Sequence, residues 1–185
     1  MCKDRNMEDN ELLVSCLNGE LEDFRKLMDK YRGKSLALAW NILGNREDAE
    51  DACQEAFIQV YLNLEKFDFT RNFKDWFFTI LSNRCLDQLR KRSRFAKFFK
   101  LQKAEFKEKM TQASSNPDRS PLISSKLIQK LNPKERISVC LWANEGYTSD
   151  EIASVLRCSP STARVHLFKA RRKLKILLEE ENVAL

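Results

Sequence analysis

The chain has 185 residues, 33 basic against 27 acidic, a net charge of +6, and a hydrophobic share of 43%. That length allows one helical domain of average size or two small ones. With 4 Gly and 4 Pro the chain is too poor in turn residues for a β-protein, and no run of about 18 apolar residues is present to span a membrane. The N-terminal run Met1-Cys-Lys-Asp-Arg-Asn lacks the apolar core of a secretory signal.

Charge is unevenly spread. Residues 1–94 carry 16 basic and 17 acidic side chains, and residues 95–185 carry 17 basic and 10 acidic. A basic half joined to a balanced half suggests a polyanion-binding module attached to a protein-binding one, with ordinary surface lysine as the alternative. The six cysteines, Cys2, Cys16, Cys53, Cys85, Cys140 and Cys158, are scattered without a CxxC pair, and His166 is the one histidine. Zinc ligation needs clustered Cys and His, so no metal and no cofactor is expected, and the thiols read as free in a reducing cytosol.

In chain order, a first block to about Arg94 reads as four helices. Asp9 or Asn10 is placed to cap a short helix ending near Gly19. Leu21, Phe24, Leu27, Met28, Tyr31, Leu36, Leu38 and Trp40 then recur at near-helical spacing up to Gly44, a natural C-cap. Asn45 starts the next helix, whose apolar positions run from Ala49 to Leu64. A polar loop, residues 65–72, leads into a fourth helix from Phe73 to about Arg94. Within it Phe78, Leu81, Cys85 and Leu89 fall on a core sector, while Trp76, Asn83, Asp87, Arg90 and Arg94 share a sector of about 60°. A stripe of aromatic, amide and cationic groups suits an unpaired nucleic-acid strand. The alternative is a surface ion pair of Asp87 with Arg90 or Lys91 and a half-buried Trp76.

From Phe95 to Pro121 the pattern degrades. Phe95, Phe98, Phe99 and Phe106 line one face of a basic amphipathic extension, and the polar run after Met110 reads as a flexible connector. In the second block Leu122, Ile123, Leu127, Ile128 and Leu131 form an apolar stripe. Asn132-Pro133 signals a helix start, and the helix from Lys134 to Glu145 stops at Gly146. No internal repeat of fixed period is evident.

The segment from Thr148 to Leu167 carries the strongest local signal. Thr148 and Glu151 fit a capping box, Arg157-Cys158 makes a turn, and Ser159 caps a helix with Pro160 at its first position. Two short helices across a tight turn fit a DNA-binding helix-turn-helix. On the second helix Ala163, Leu167, Ala170 and Leu174 fall on the core side. Ser161, Val165, Phe168 and Arg172 lie opposite, flanked by Arg164 and Lys169. Arginine can bond guanine edges and Val or Phe can touch thymine methyls, while Thr162, Arg171 and Lys173 are better placed for phosphates. A solvated basic helix with two stray apolar residues is the alternative.

Taken together these stretches resemble the extracytoplasmic-function sigma factors of bacterial RNA polymerase. Leu43 to Phe57 is similar to the family's polymerase-binding signature, and the resemblance implies contact with the clamp helices through Asp48, Glu50, Asp51, Gln54 and Glu55. For Asp48, helix N-terminal stabilisation alone is an equal account. Phe73 to Arg94 resembles the part that engages the −10 element, which implies roles for Trp76, Asn83, Asp87, Arg90, Lys91 and Arg94, with the loop bearing Phe69 and Asn72 capturing a flipped base. Leu131 to Arg136 and Glu151 to Arg171 resemble the part that reads the −35 element, implying Ser161, Thr162, Arg164, Val165, Phe168, Lys169, Arg171 and Arg172.

The resemblance implies an all-α fold of two small helical domains, residues 1–94 and 122–185, joined by a flexible linker, residues 95–121. It also implies a non-enzymatic, cytoplasmic factor whose partners are core RNA polymerase, promoter DNA and an anti-sigma factor, often membrane-tethered. His166 and Phe168 stand where the family more often has Arg and His, so promoter preference does not transfer. Residues 97–109 are basic where the family's linker is commonly acidic. A free-standing helix-turn-helix regulator is the alternative from another class.

Overall fold

The computed structural model describes residues 3–102 and 125–183, which are mostly helical, with no strand among them. Four helices form the first bundle: α1 (Lys3–Leu17), α2 (Leu21–Leu43), α3 (Arg46–Leu62) and α4 (Phe73–Gln102), with a single 3-10 turn at Leu64–Lys66. Four more form the second: α5 (Ser125–Gln129), α6 (Pro133–Glu145), α7 (Ser149–Leu156) and α8 (Pro160–Val183).

Local chemistry sets most of these boundaries. Gly44 adopts a left-handed φ of 73° and its N–H donates to the Trp40 carbonyl, closing α2. Asn45 then accepts the Asp48 N–H and opens α3. The Asn132 side chain accepts the Glu135 N–H, Pro133 supplies the first helical residue, and Gly146 closes α6 at φ 71°.

The first bundle is built around aromatic rings. Phe73, Phe77 and Phe78 are fully buried, with Tyr31 packed edge-on against Phe73 at 5.4 Å and Phe57 stacked on Phe77 at 4.8 Å. In the second bundle Leu127, Ile137, Leu141, Ile152, Val155 and Leu174 fill the centre.

Two boundaries differ from the sequence reading. Helix α1 begins at Lys3, so Asp9 and Asn10 lie inside it and neither is its cap. Asp9 is 2% exposed and accepts hydrogen bonds from the Tyr31 hydroxyl at 2.6 Å and the Lys30 ammonium at 2.7 Å. A carboxylate buried this far needs such partners, and here they come from the next helix. Helix α4 also continues past Arg94 to Gln102, because nothing from Phe95 onward breaks a helix. The remainder of the expected linker, with Phe106 and the polar run after Met110, and the apolar pair Leu122 and Ile123, lie outside the described residues.

Candidate nucleic-acid interface

In the helix-turn-helix, Thr148 Oγ1 accepts the Glu151 N–H at 3.3 Å while Glu151 accepts the Thr148 N–H at 2.7 Å, so both ends of the capping box are made. Arg157 takes a left-handed φ of 49° to turn the chain, and Ser159 Oγ accepts the Thr162 N–H at 3.2 Å at the start of α8. Ala163, Leu167, Ala170 and Leu174 are buried against α6 and α7.

The opposite face of α8 is open to solvent. Ser161, Thr162, Arg164, Val165, Lys169, Arg171 and Arg172 are all exposed, and Phe168 is 66% exposed. Val165 and Phe168 therefore stand as apolar groups among cations on one exposed face. Arg164 lies 3.7 Å from Asp150, and the Arg171 guanidinium rests over the Trp142 ring at 4.8 Å. Lys173 is otherwise engaged: its ammonium sits 2.8 Å from Glu135, a carboxylate that is 1% exposed. The sequence reading assigned it to phosphate because helical position alone cannot show a buried partner 38 residues away. Burial, with Lys134 and Lys169 adding repulsion, holds the His166 pKa below its ordinary value.

Between α3 and α4 lies an open cleft of about 420 Å³ lined by Gln59, Asn63, Lys66, Trp76, Ile80, Asn83, Arg84 and Asp87. Trp76 is half-buried, its ring 4.8 Å from Phe67 and 6.0 Å from Phe73, which fixes it as one wall. Amides and charges make up most of the rest. Arg90 bonds Asp87 at 2.8 Å, so the surface pair weighed as the alternative is present. Lys91 and Arg94 lie exposed further along α4, outside the cleft.

The loop before α4 is ordered by its own side chains. Asp68 accepts from the Thr70 N–H at 2.9 Å and hydroxyl at 2.6 Å, bonds that hold its carboxyl below the usual range. Asn72 accepts the Lys74 N–H at 2.8 Å, and Phe69 packs edge-on to Phe67 at 5.2 Å. Gln59, Asn63, Lys66 and Arg84 are cleft residues that the sequence reading missed. Gln59 on α3 and Asn63, which caps that helix, stand one turn apart, a signal that becomes legible only once α3 and α4 are known to pack together.

The acidic cluster at the start of α3 divides. Asp48 is half-buried and ion-paired with Arg92 of α4. Glu50 bonds Arg46 on its own helix at 2.7 Å, and Glu55 lies 3.9 Å from Arg84. Asp51 and Gln54 are exposed. Exposed Ile58 and Leu62 prolong the stripe of Asp51, Gln54 and Glu55 at helical spacing, giving α3 an outward face that is acidic at one end and apolar at the other.

Among the described residues no group of three His, Cys, Asp or Glu side chains is placed to hold a metal, and no helix is long and apolar enough to cross a membrane. The five described cysteines are free thiols. Burial pushes the Cys53 thiol up to about 11 and Cys140 to about 12.

Comparison with known proteins places the two surfaces in one family. The Sigma-70 region 2 model matches residues 27–95, and the Sigma-70, region 4 model matches residues 125–174; together they take up more than half of the chain. The ECF RNA polymerase sigma factor SigW of Bacillus subtilis is 39% identical over 74 residues, 40% of each protein. The RNA polymerase sigma-H factor of Pseudomonas aeruginosa is 27% identical over 182 residues, covering 93% of this chain and 94% of that one. Two solved structures share the fold at 24% identity. The sigma factor RpoE of Bartonella quintana, in complex with the anti-sigma factor NepR, aligns with a TM-score of 0.71 over 85% of this chain and 98% of its own. CnrH, in complex with the cytosolic domain of CnrY, aligns with a TM-score of 0.67 over 94% and 98%. The order of the two matched regions, the helix-turn-helix in the second and the cleft in the first agree with one another: this chain belongs to the sigma-70 family and, within it, to the extracytoplasmic-function sigma factors.

Proposed function

We infer that this sigma factor binds core RNA polymerase, brings it to a particular set of promoters and helps open them. The observation that carries the reading is that one chain bears two nucleic-acid-compatible surfaces of different chemistry. One is a recessed cleft of aromatic and amide groups, suited to single bases; the other is a convex cationic helix, suited to a major groove.

In this reading Trp76, Asn83 and Asp87, with Phe69 and Asn72 on the adjoining loop, receive unstacked bases of the −10 element. Arg90, Lys91 and Arg94 follow the strand's phosphates. A base stacked on an aromatic ring is stabilised by about 1–3 kcal/mol, so trapping two or three offsets the cost of opening a few base pairs. Melting then needs no bond-making, and the protein acts as an initiation factor, with the chemistry left to the polymerase.

On α8, Arg164, Val165, Phe168 and Arg172 face the edges of the −35 bases. Ser161, Thr162, Lys169 and Arg171 hold phosphates and set the register. The face of Asp51, Gln54 and Glu55, with Asp48 and Glu50 beside it, meets the polymerase clamp by charge complementarity. Residues 1–94 and 122–185 act as the two working units, with residues 95–121 setting their separation. The protein works in the cytoplasm, where promoters and polymerase are. An anti-sigma protein, the partner named for the RpoE neighbour, is proposed as its inhibitor.

Footprinting with strand-opening detection tests the reading. Promoter DNA should be protected and opened when this chain and core polymerase are both present, and by neither alone. Tight, sequence-specific binding of duplex DNA by the purified chain without polymerase would instead mark a free-standing regulator.

A further inference from the structure

Arg164 and Arg171 stand two turns apart on one flank of α8, and each is met by a residue from a neighbouring helix. They are met in opposite ways. Arg164 lies 3.7 Å from the Asp150 carboxylate of α7, whereas the Arg171 guanidinium lies over the Trp142 ring of α6, 4.8 Å from its centroid.

The difference decides what each cation can still do. A carboxylate accepts the N–H donors of a guanidinium, often two at once, and cancels its charge. An aromatic face attracts the cation through its quadrupole, takes no paired N–H bonds and leaves the full charge in place. Elsewhere in the described residues the first arrangement prevails. Arg46, Arg90 and Arg92 pair with Glu50, Asp87 and Asp48, and Lys173 pairs with Glu135. Arg171 has no carboxylate within ion-pair distance among the described residues. It is held, yet still able to bind an anion.

Trp142 stands outside the core of its own helix. It is 40% exposed, while Ile137, Val139, Cys140 and Leu141 of α6 are buried. Helix α6 packs on α8, so the surface that Trp142 makes borders the recognition helix. Both residues belong to the second bundle, and the pair does not depend on the first.

An arginine side chain gives up rotamer freedom when it binds a phosphate, and one already held gives up less. Such preorganisation raises affinity without a new contact to the ligand. A phosphate contact also fixes where a reading helix sits while carrying no base preference of its own.

We propose that Trp142 is a positioning residue for DNA binding: its ring holds Arg171 beside the reading face of α8, ready for a backbone phosphate at the edge of the −35 groove. Trp142 itself reads no base. This rests on the −35 reading of α8 given above and adds to it a residue of α6, outside the helix-turn-helix.

The test is a double-mutant cycle on the full chain with core polymerase, read as affinity for promoter DNA. Trp142→Leu removes the aromatic face and keeps apolar bulk, Trp142→Phe keeps a smaller face, and Arg171→Ala removes the cation. Thermal melting checks that each chain is folded. With Arg171 present, Trp142→Leu should weaken binding about two- to fivefold, the range an exposed cation–π contact supports. The loss should be equal on promoters substituted in the −35 element. Trp142→Phe should fall between wild type and Trp142→Leu, and it takes the place of Trp142→Leu in the cycle should that chain fail to fold. Arg171→Ala should flatten the slope of log affinity against log salt by about 0.9, the loss of one phosphate contact. In that background Trp142→Leu should cost nothing further.

A loss from Trp142→Leu of the same size with and without Arg171 would overturn the proposal, because packing or a direct ring contact with DNA would then account for it. Unchanged affinity in both backgrounds would overturn it as well. Equally tight promoter binding by the wild-type chain without core polymerase would instead count against the sigma-factor reading. The same cycle, measured on that duplex, would still decide the role of Trp142.

Discussion

Glu135 is a carboxylate at 1% exposure, a position where an unpaired charge would cost several kcal/mol. It accepts the Asn132 N–H at 3.2 Å and the Lys173 ammonium at 2.8 Å, so one side chain completes the α6 cap and ties α6 to α8. Replacing Glu135 with Ala should destabilise the protein by about 1–2 kcal/mol, since it removes the Asn132 capping partner, while Lys173, half exposed, returns to solvent. A lowered urea midpoint at unchanged slope is the expected result. The cysteines give a second expectation. With its pKa pushed up to about 11, Cys53 at pH 8 carries thiolate in only about one molecule in a thousand, and Cys140 in fewer. The sign is that of a raised thiol: the reactive thiolate appears only as pH rises toward the shifted value. Iodoacetamide at pH 8 should therefore spare both in the native protein and label both in urea, as read by peptide mass spectrometry. Capping residues such as Asn45, Thr148, Glu151 and Ser159 were legible in the sequence because their partners lie three residues away. Asp9 and Lys173 were misread because theirs lie on other helices.

Two helices carry most of the site, and they differ in how much the sequence reveals. On α8 a wheel suffices, since one helix presents the whole face: Ala163, Leu167, Ala170 and Leu174 go inward and Phe168 and Arg172 stay out. The cleft beside α4 needs two walls. Trp76, Asn83 and Asp87 are legible from the period of α4, but Gln59, Asn63 and Lys66 belong to the opposite wall and follow only from packing. On α8, Phe168→Ala and Arg172→Ala should each weaken −35-dependent promoter binding by about 1–3 kcal/mol and blur preference at one base position. Lys169→Ala should weaken all sequences alike and flatten the salt dependence. Competition binding by the polymerase complex against promoters substituted in the −35 element separates these outcomes. Equal loss on every sequence for Phe168→Ala would remove it from base reading.

At the scale of the molecule, the all-helical content and the order of the two blocks followed from glycine and proline scarcity, periodicity and the uneven charge. How the bundles meet did not. The contact depends on Gln129 and Arg136 reaching backbone carbonyls at the end of α2, and a carbonyl has no sequence signature. The α3 face is a property of the assembled bundle as well. Substituting Gln54 and Glu55 together with Ala should lower affinity for core polymerase about tenfold or more while leaving the melting temperature within a degree or two, because both side chains are exposed. Native gel titration against core enzyme reads the first effect and a thermal scan the second. One further result follows from the packing. The buried side chains of the two bundles, from Leu13 to Leu174, form a contiguous core. Heated alone, the chain should give a single endotherm whose calorimetric and van't Hoff enthalpies agree.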